Sequence, residues 1–263
     1  MELSYAKPHE VRLLARNGRL RDETGGVCLG YAQANLVVLP QALAFDFLLF
    51  CFRNPQPCPL LEVTDVGSFE PTSLAPGADL RNDIARYRIY RYGELHQEVD
   101  SIAQYWREDF VGFLLGCSVT FEEALLNKRI PVRHLEEGRG VTPMYKTSIA
   151  CRSAGAFHGP MVVSMRPIPH ARVSETVTTT ARFPKVHGAP VHIGDPKAIG
   201  IDDLSRTDYG APVRVGDGET PVFWACGVTP QAVALVSKPE LMITHAPGHM
   251  FITDVLNEQL ASF

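Results

Sequence analysis

Two copies of one tetrapeptide carry the residues best suited to chemistry. Residues 117–120 read Cys-Ser-Val-Thr and residues 226–229 read Cys-Gly-Val-Thr. Each follows an apolar stretch ending in a small residue, Gly116 or Ala225. Each precedes a helical pattern, Phe121 to Asn127 or Pro230 to Ser237. A short apolar segment ending in His134 or His245 comes next, and then Met144-Tyr-Lys-Thr147 or Met250-Phe-Ile-Thr253. Four features recurring in one order predict an internal pseudo-repeat of strand–turn–helix units. Thr120 with Glu123 matches a capping box, and Thr229 before Pro230 matches an N-cap. Both cysteines are therefore expected just ahead of helix N-termini, where free N–H groups attract anions and lower a thiol pKa.

The chemistry this allows is carboxylate binding with acid–base or thiol catalysis. Cys117, Cys226, His134, His187, His192 and His245 are the catalytic candidates, since imidazole titrates near neutrality. Ser118, Thr120, Gly227, Val228 and Thr229 offer donors for substrate at the two turns, with Tyr145 beside them on the Met-aromatic-X-Thr segment. Arg166, like Arg133 and Arg182, is placed to bind a carboxylate through two parallel hydrogen bonds. His187, His192, His245 and Asp195 form a conceivable metal set, but acid–base work is the preferred reading and no metal is expected. His245 and His249 have i, i+4 spacing, but Pro247 and Gly248 oppose a helix there. No Gly-rich dinucleotide fingerprint, phosphate loop or Gly-X-Ser-X-Gly elbow occurs, so no cofactor is expected.

These turns need a scaffold. The 263 residues are 45% apolar and 21% charged, the balance of a globular chain with a sizeable core. The 25 Lys and Arg are scattered among 29 acids, for a net charge of -4, which argues against nucleic acid or an anionic membrane as partner. The N-terminus has no export signal and the six cysteines have no C-x-x-C spacing. Reduced thiols in a cytoplasmic protein are the expectation. A small carboxylate-bearing substrate is the expected partner, and a homodimer is compatible with the sequence.

Apolar spacing predicts helices over residues 7–20, 41–52 and 101–115. Strands are expected at 60–64, at 161–164 and at 173–180. Hairpins are expected at 86–98, turning at Gly93, and at 213–226. Residues 67–82 and 184–200 read as loops.

Longer strings narrow the reading. Gly112-Phe-Leu-Leu-Gly-Cys-Ser118, Arg182-Phe-Pro184, His187-Gly-Ala-Pro-Val-His-Ile-Gly-Asp-Pro196, Trp224-Ala-Cys-Gly-Val-Thr-Pro-Gln231 and Thr244-His-Ala-Pro-Gly-His-Met-Phe-Ile-Thr-Asp254 resemble the hydro-lyase family that includes D-glutamate cyclase. So does Leu36 to Asp65 with its Asn54-Pro-Gln-Pro-Cys-Pro59 segment. One departure stands at Val141-Thr-Pro-Met-Tyr145, where the family is expected to read Asn-Val-Pro-Met-Tyr. The resemblance implies a two-part α/β architecture: a larger α/β sandwich (1–126 with 218–263) holding a smaller inserted α+β part (127–217). It also implies carbon–oxygen lysis with loss of water, as when D-glutamate closes to 5-oxo-D-proline. Two other readings of the paired cysteines stay open. One is a cofactor-independent amino-acid racemase or epimerase, and the other is a carboxylate-binding protein without catalysis.

Overall fold

The computed structural model describes residues 3–262. It is a mixed α/β structure with two sheets. In chain order the elements are α1 (Pro8–Arg16), β1 (Tyr31–Pro40), α2 (Gln41–Arg53), β2 (Leu60–Val63), β3 (Tyr87–Arg91), β4 (Glu94–Val99) and β5 (Phe110–Gly116). Then come α3 (Val119–Asn127), α4 (Arg133–Glu136), β6 (Met144–Ala150), β7 (Pro160–Pro169), α5 (Val173–Ala181) and β8 (His192–Ile193). The chain closes with β9 (Glu219–Ala225), α6 (Thr229–Ser237), β10 (Met242–His245) and β11 (Phe251–Leu256). Among the described residues no helix is long and apolar enough to cross a membrane.

The larger sheet has seven strands in the order β2-β5-β1-β10-β3-β4, with β11 also paired to β1. The smaller has the order β6-β7-β9-β8. Every pairing is antiparallel. Strand β1 is the axis of the larger sheet and is buried on both faces. Ala34, Leu36 and Val38 face one core cluster, while Val37 and Leu39 face another that includes Phe47 and Phe50 of α2 and Val233 of α6. That alternation is the period of two expected of a strand. Phe47 anchors the second cluster edge-on to Phe113 and Phe157, with ring centres 4.9 and 5.2 Å away. A third cluster joins the sheets, placing Phe121 and Leu125 of α3 against Ile168, Val222 and Trp224.

The expected helices at 7–20 and 41–52 form as α1 and α2, the strand at 60–64 as β2, and the 86–98 hairpin as β3 and β4. The helix expected over 101–115 does not form. Ala103–Tyr105 is a single 3₁₀ turn, and residues 110–116 are β5, buried at all seven positions between β2 and β1. A strand covered on both faces reads as a continuous apolar run, and such a run satisfies helical spacing by accident.

The reverse happens at 173–180, where α5 replaces the expected strand. Its threonines bond back to the preceding turn: Thr176 Oγ1 donates to the Arg172 carbonyl at 2.8 Å and Thr179 Oγ1 to the Glu175 carbonyl at 2.7 Å. Thr180 Oγ1 accepts from Trp224 Nε1 at 3.1 Å, tying the helix to β9. Packing on these hydroxyls overrides the β preference of threonine.

The hairpin expected over 213–226 is also absent. β9 pairs with β7 along one edge and β8 along the other, so no edge is left for residues 213–215. The same pairing puts residues 219–225 in the smaller sheet.

Candidate active site

The two Cys-X-Val-Thr segments occupy equivalent places. Cys117 joins β5 to α3 and Cys226 joins β9 to α6. The backbone N–H of Val119 points at the Cys117 sulfur, and that of Val228 at the Cys226 sulfur. Helix α3 starts at Val119 with Ser118 as cap residue, and α6 starts at Thr229 with Val228 as cap residue, neither with a side-chain cap bond. Thr120 and Thr229 are therefore not caps. Thr120 Oγ1 accepts from the Gln33 N–H at 3.3 Å, and Glu123 accepts from Asn257 at 2.6 Å. Thr229 Oγ1 donates to the Cys226 carbonyl at 2.7 Å and accepts from the Val162 N–H at 3.1 Å, fastening the second turn to β7.

Asn35 of β1 sits between the turns. Its Nδ2 donates to the Gly116 carbonyl at 2.9 Å, and a Cβ at Gly227 would overlap its amide. A Cβ at Gly116 would in turn overlap the Lys185 carbonyl. Glycine is what lets the His187 loop and the second turn close on the end of β5.

Arg166 of β7 completes the assembly and is 1% exposed. Its Nε donates to Glu122 Oε1 at 2.9 Å, and Nη2 reaches the same oxygen. Nη1 donates to Ser164 Oγ at 3.1 Å and Nη2 to Ser118 Oγ at 3.0 Å. Its guanidinium carbon lies 5.1 and 5.3 Å from the centres of the Phe121 and Trp224 rings. Glu122 is buried beside it, one helical turn from Ser118, with His134 Nε2 3.5 Å from Oε1. Burial raises the Glu122 pKa, but His134 and Arg166 together outweigh it and hold the carboxyl down at about 2.

Electrostatics reverse one expectation. Burial pushes the Cys117 thiol up to about 12 and the Cys226 thiol up to about 11, despite the helix-end N–H groups. Desolvation of a buried thiolate costs more than two N–H contacts return, so both groups are protonated at neutral pH.

Burial also lowers the pKa of His187 and of His245 to about 4, so both are neutral. His187 Nδ1 lies 2.6 Å from the Gln56 carbonyl. A carbonyl only accepts, so Nδ1 carries the proton and Nε2 holds a lone pair. His245 Nδ1 lies 3.2 Å from the Leu36 N–H and 3.4 Å from the Leu36 carbonyl, contacts that either tautomer satisfies. Neither Nε2 has a hydrogen-bond partner.

Cys117, Cys226, Ser118, Arg166, His134 and His187 thus converge, with Gly227 and Val228 in the second turn. His245 lies across β1, under Leu36. His192 stands apart on the outer strand β8, its Nε2 2.7 Å from the Asp195 carbonyl. Tyr145 bonds the Leu204 carbonyl at 2.7 Å, on the core face formed by Val163 and Met165 rather than on the Ser164–Arg166 face. Arg133 is spent on Glu136 and Glu219, at 3.1 and 2.5 Å. Among the described residues no three His, Cys, Asp or Glu side chains are grouped to hold a metal, so the set of His187, His192, His245 and Asp195 does not assemble.

Glu122 and Asn35 are the residues the sequence reading passed over. Ser118 and Glu122 share a helix face at i, i+4, and Gln33 and Asn35 are the only polar positions in the run from Ala32 to Leu39.

The chain is similar to known proteins over nearly its whole length. The family model described as D-glutamate cyclase matches residues 111–254. A Thermoanaerobacter protein named "Putative hydro-lyase" is 66% identical over 97% of this chain and 96% of its own. Proteins of the same description from Geobacillus kaustophilus and Bacillus subtilis are 62% and 60% identical. Their matches cover 98% and 97% of this chain, and 99% and 98% of their own.

Proposed function

The chain belongs to the hydro-lyase family related to D-glutamate cyclase, and from that premise we propose that it removes water from a small amino or carboxylic acid, with D-glutamate closing to 5-oxo-D-proline as the leading candidate. One observation carries the site assignment. Buried polar atoms without a partner are rare in folded proteins. Here Glu122 Oε2, His134 Nδ1 and His187 Nε2 are all in that state. Three such atoms beside one pair of turns suit a site that a polar ligand completes.

Ring closure moves protons without changing their number. The ammonium nitrogen gives up two protons and attacks the side-chain carboxylate carbon. One carboxylate oxygen leaves with those two protons as water. His187 Nε2, a lone pair in a dry site, takes the role of base. The protonated Cys117 thiol, and that of Cys226 once turned from Met144 Sδ at 3.4 Å, are the donors to the departing oxygen. The N–H groups at the Ser118 and Gly227-Val228 turns, with Arg166 behind Ser118, stabilise the oxyanion formed on the way.

A racemase working through paired cysteines needs one of them as thiolate. Burial raises both thiols, so that route would have to overcome their desolvation. A carboxylate-binding protein without catalysis would show ligand-dependent melting and no product. The same proposal covers the architecture. The seven-stranded sheet is the larger part and the four-stranded sheet the core of the insert, which then takes in residues 219–225. The pseudo-repeat reduces to the units β5-α3 and β9-α6. Incubation with D-glutamate followed by mass analysis tests the activity. A product lighter by one water supports it, and unchanged substrate refutes it for this acid.

A further inference from the structure

A cleft of about 480 Å³ is lined by Arg21, Arg86, Arg88, Asp208, Tyr209 and His249. Glu98, Gly210, and Ala246 and Pro247, which directly follow His245, complete its lining. Its residues reach the buried groups from outside. Tyr209 packs against the cluster of Met144, Cys226 and Val228. Arg88 Nη1 lies 3.5 Å from Gln231 Oε1, and Gln231 Nε2 donates to the His245 carbonyl at 2.9 Å. Cys117 and Cys226 keep 8% and 7% of their surface accessible, against 1% and none for Cys51 and Cys58.

The cleft has cationic capacity to spare. Arg88 is matched by Glu98 at 2.6 Å, but Arg86 lies 3.5 Å from Asp100 and its buried Nε has no partner. Arg21 bonds the Gly18 carbonyl rather than a carboxylate. Asp208, the other acid of the lining, is 3.3 Å from Lys146.

We propose that this cleft binds the non-reacting α-carboxylate of a small amino acid through Arg21, Arg86 and Arg88, and that Tyr209 is the partition the reacting end must pass to reach Cys226. This rests on the hydro-lyase reading for its ligand class. Tyr209 is suited to move. Its backbone is held by a short bridge rather than a strand, with its carbonyl accepting from the Met144 N–H at 3.0 Å and its N–H donating to the Met144 carbonyl at 3.2 Å. A site built to pair with a carboxylate rejects the amide of equal size, because an arginine is then left without its anion.

Thiol labelling of the full chain, mapped by peptide mass, tests both halves. With iodoacetamide at neutral pH, Y209A should label at Cys226 at least about tenfold faster than the parent protein, with Cys58 unchanged. Cys58 reports any general loosening, so the ratio of the two rates is the readout. Equal ratios in Y209A and parent would overturn the partition. In Y209A, D-glutamate should slow labelling of Cys226, whereas D-glutamate carrying an α-amide should not. R86Q and R88Q placed in Y209A should each abolish the protection. Protection by the α-amide, protection surviving both arginine changes, or none from D-glutamate would overturn the carboxylate site. Protection without any turnover of D-glutamate by the parent protein would leave the cleft standing and remove the hydro-lyase assignment for that acid.

Discussion

Replacing Glu122 with Gln isolates the interaction that holds the first turn together. The side chain keeps its shape but loses its charge, leaving the Arg166 guanidinium with two serine hydroxyls and two aromatic faces. Removing one partner of a buried ion pair costs about 3–5 kcal/mol, because the other charge stays desolvated. An independent route agrees. A carboxyl held at about 2, against 4.5 for the free group, is a difference worth roughly 3 kcal/mol. For a chain of this size that corresponds to a fall in melting temperature of roughly 6–20 °C. Differential scanning calorimetry at pH 7 measures it. The double variant E122Q/R166M, which removes the orphaned cation, should regain part of the loss. An E122Q protein melting within about 2 °C of the parent would show that the Arg166–Glu122 pair does not support the turn.

Neutral burial of His187 and His245 makes stability fall with acid. Their folded pKa of about 4 lies below the unfolded value of about 6.5, so the unfolded chain binds more protons between these limits. The contribution is complete above pH 6.5 and lost as pH falls through 4, at roughly 3 kcal/mol per histidine, and urea midpoints flat from pH 7 to 4.5 would contradict it. G227A should lower stability by about 1–3 kcal/mol through its clash with Asn35, while A225G, lacking that clash, should cost less in the same denaturation series. C117A and C226A should each keep the fold and lower kcat at least about tenfold, and full turnover in both would remove the thiols from the mechanism.

The two turns were more legible in the sequence than the elements around them. The repeated Cys-X-Val-Thr strings marked the two turns because their neighbours, a small residue before and a helical pattern after, obey local rules. Arg166 was singled out with Arg133 and Arg182 as a carboxylate-binding arginine, but its partner is Glu122 of this chain. β5 and α5 were not legible. In both, tertiary packing decides the outcome: β5 is covered on each face, and the α5 threonines are satisfied by their own backbone and by Trp224. The thiol pKa went the other way from the sequence expectation for a related reason. A helix N-terminus favours a thiolate, but the depth of the turn decides which effect wins, and depth is not local. Glu122 was hidden as an ordinary helix acid beside Glu123. Only the placement of Arg166 on β7, facing α3, singles it out.

The central claim is that the residues gathered at the two turns perform a dehydration. The most direct measurement is mass analysis of D-glutamate incubated with the protein in D2O. Loss of one water, with no deuterium at the α-carbon of the product, is the predicted result. Deuterium at the α-carbon without loss of water would contradict it and return the paired cysteines to racemase chemistry.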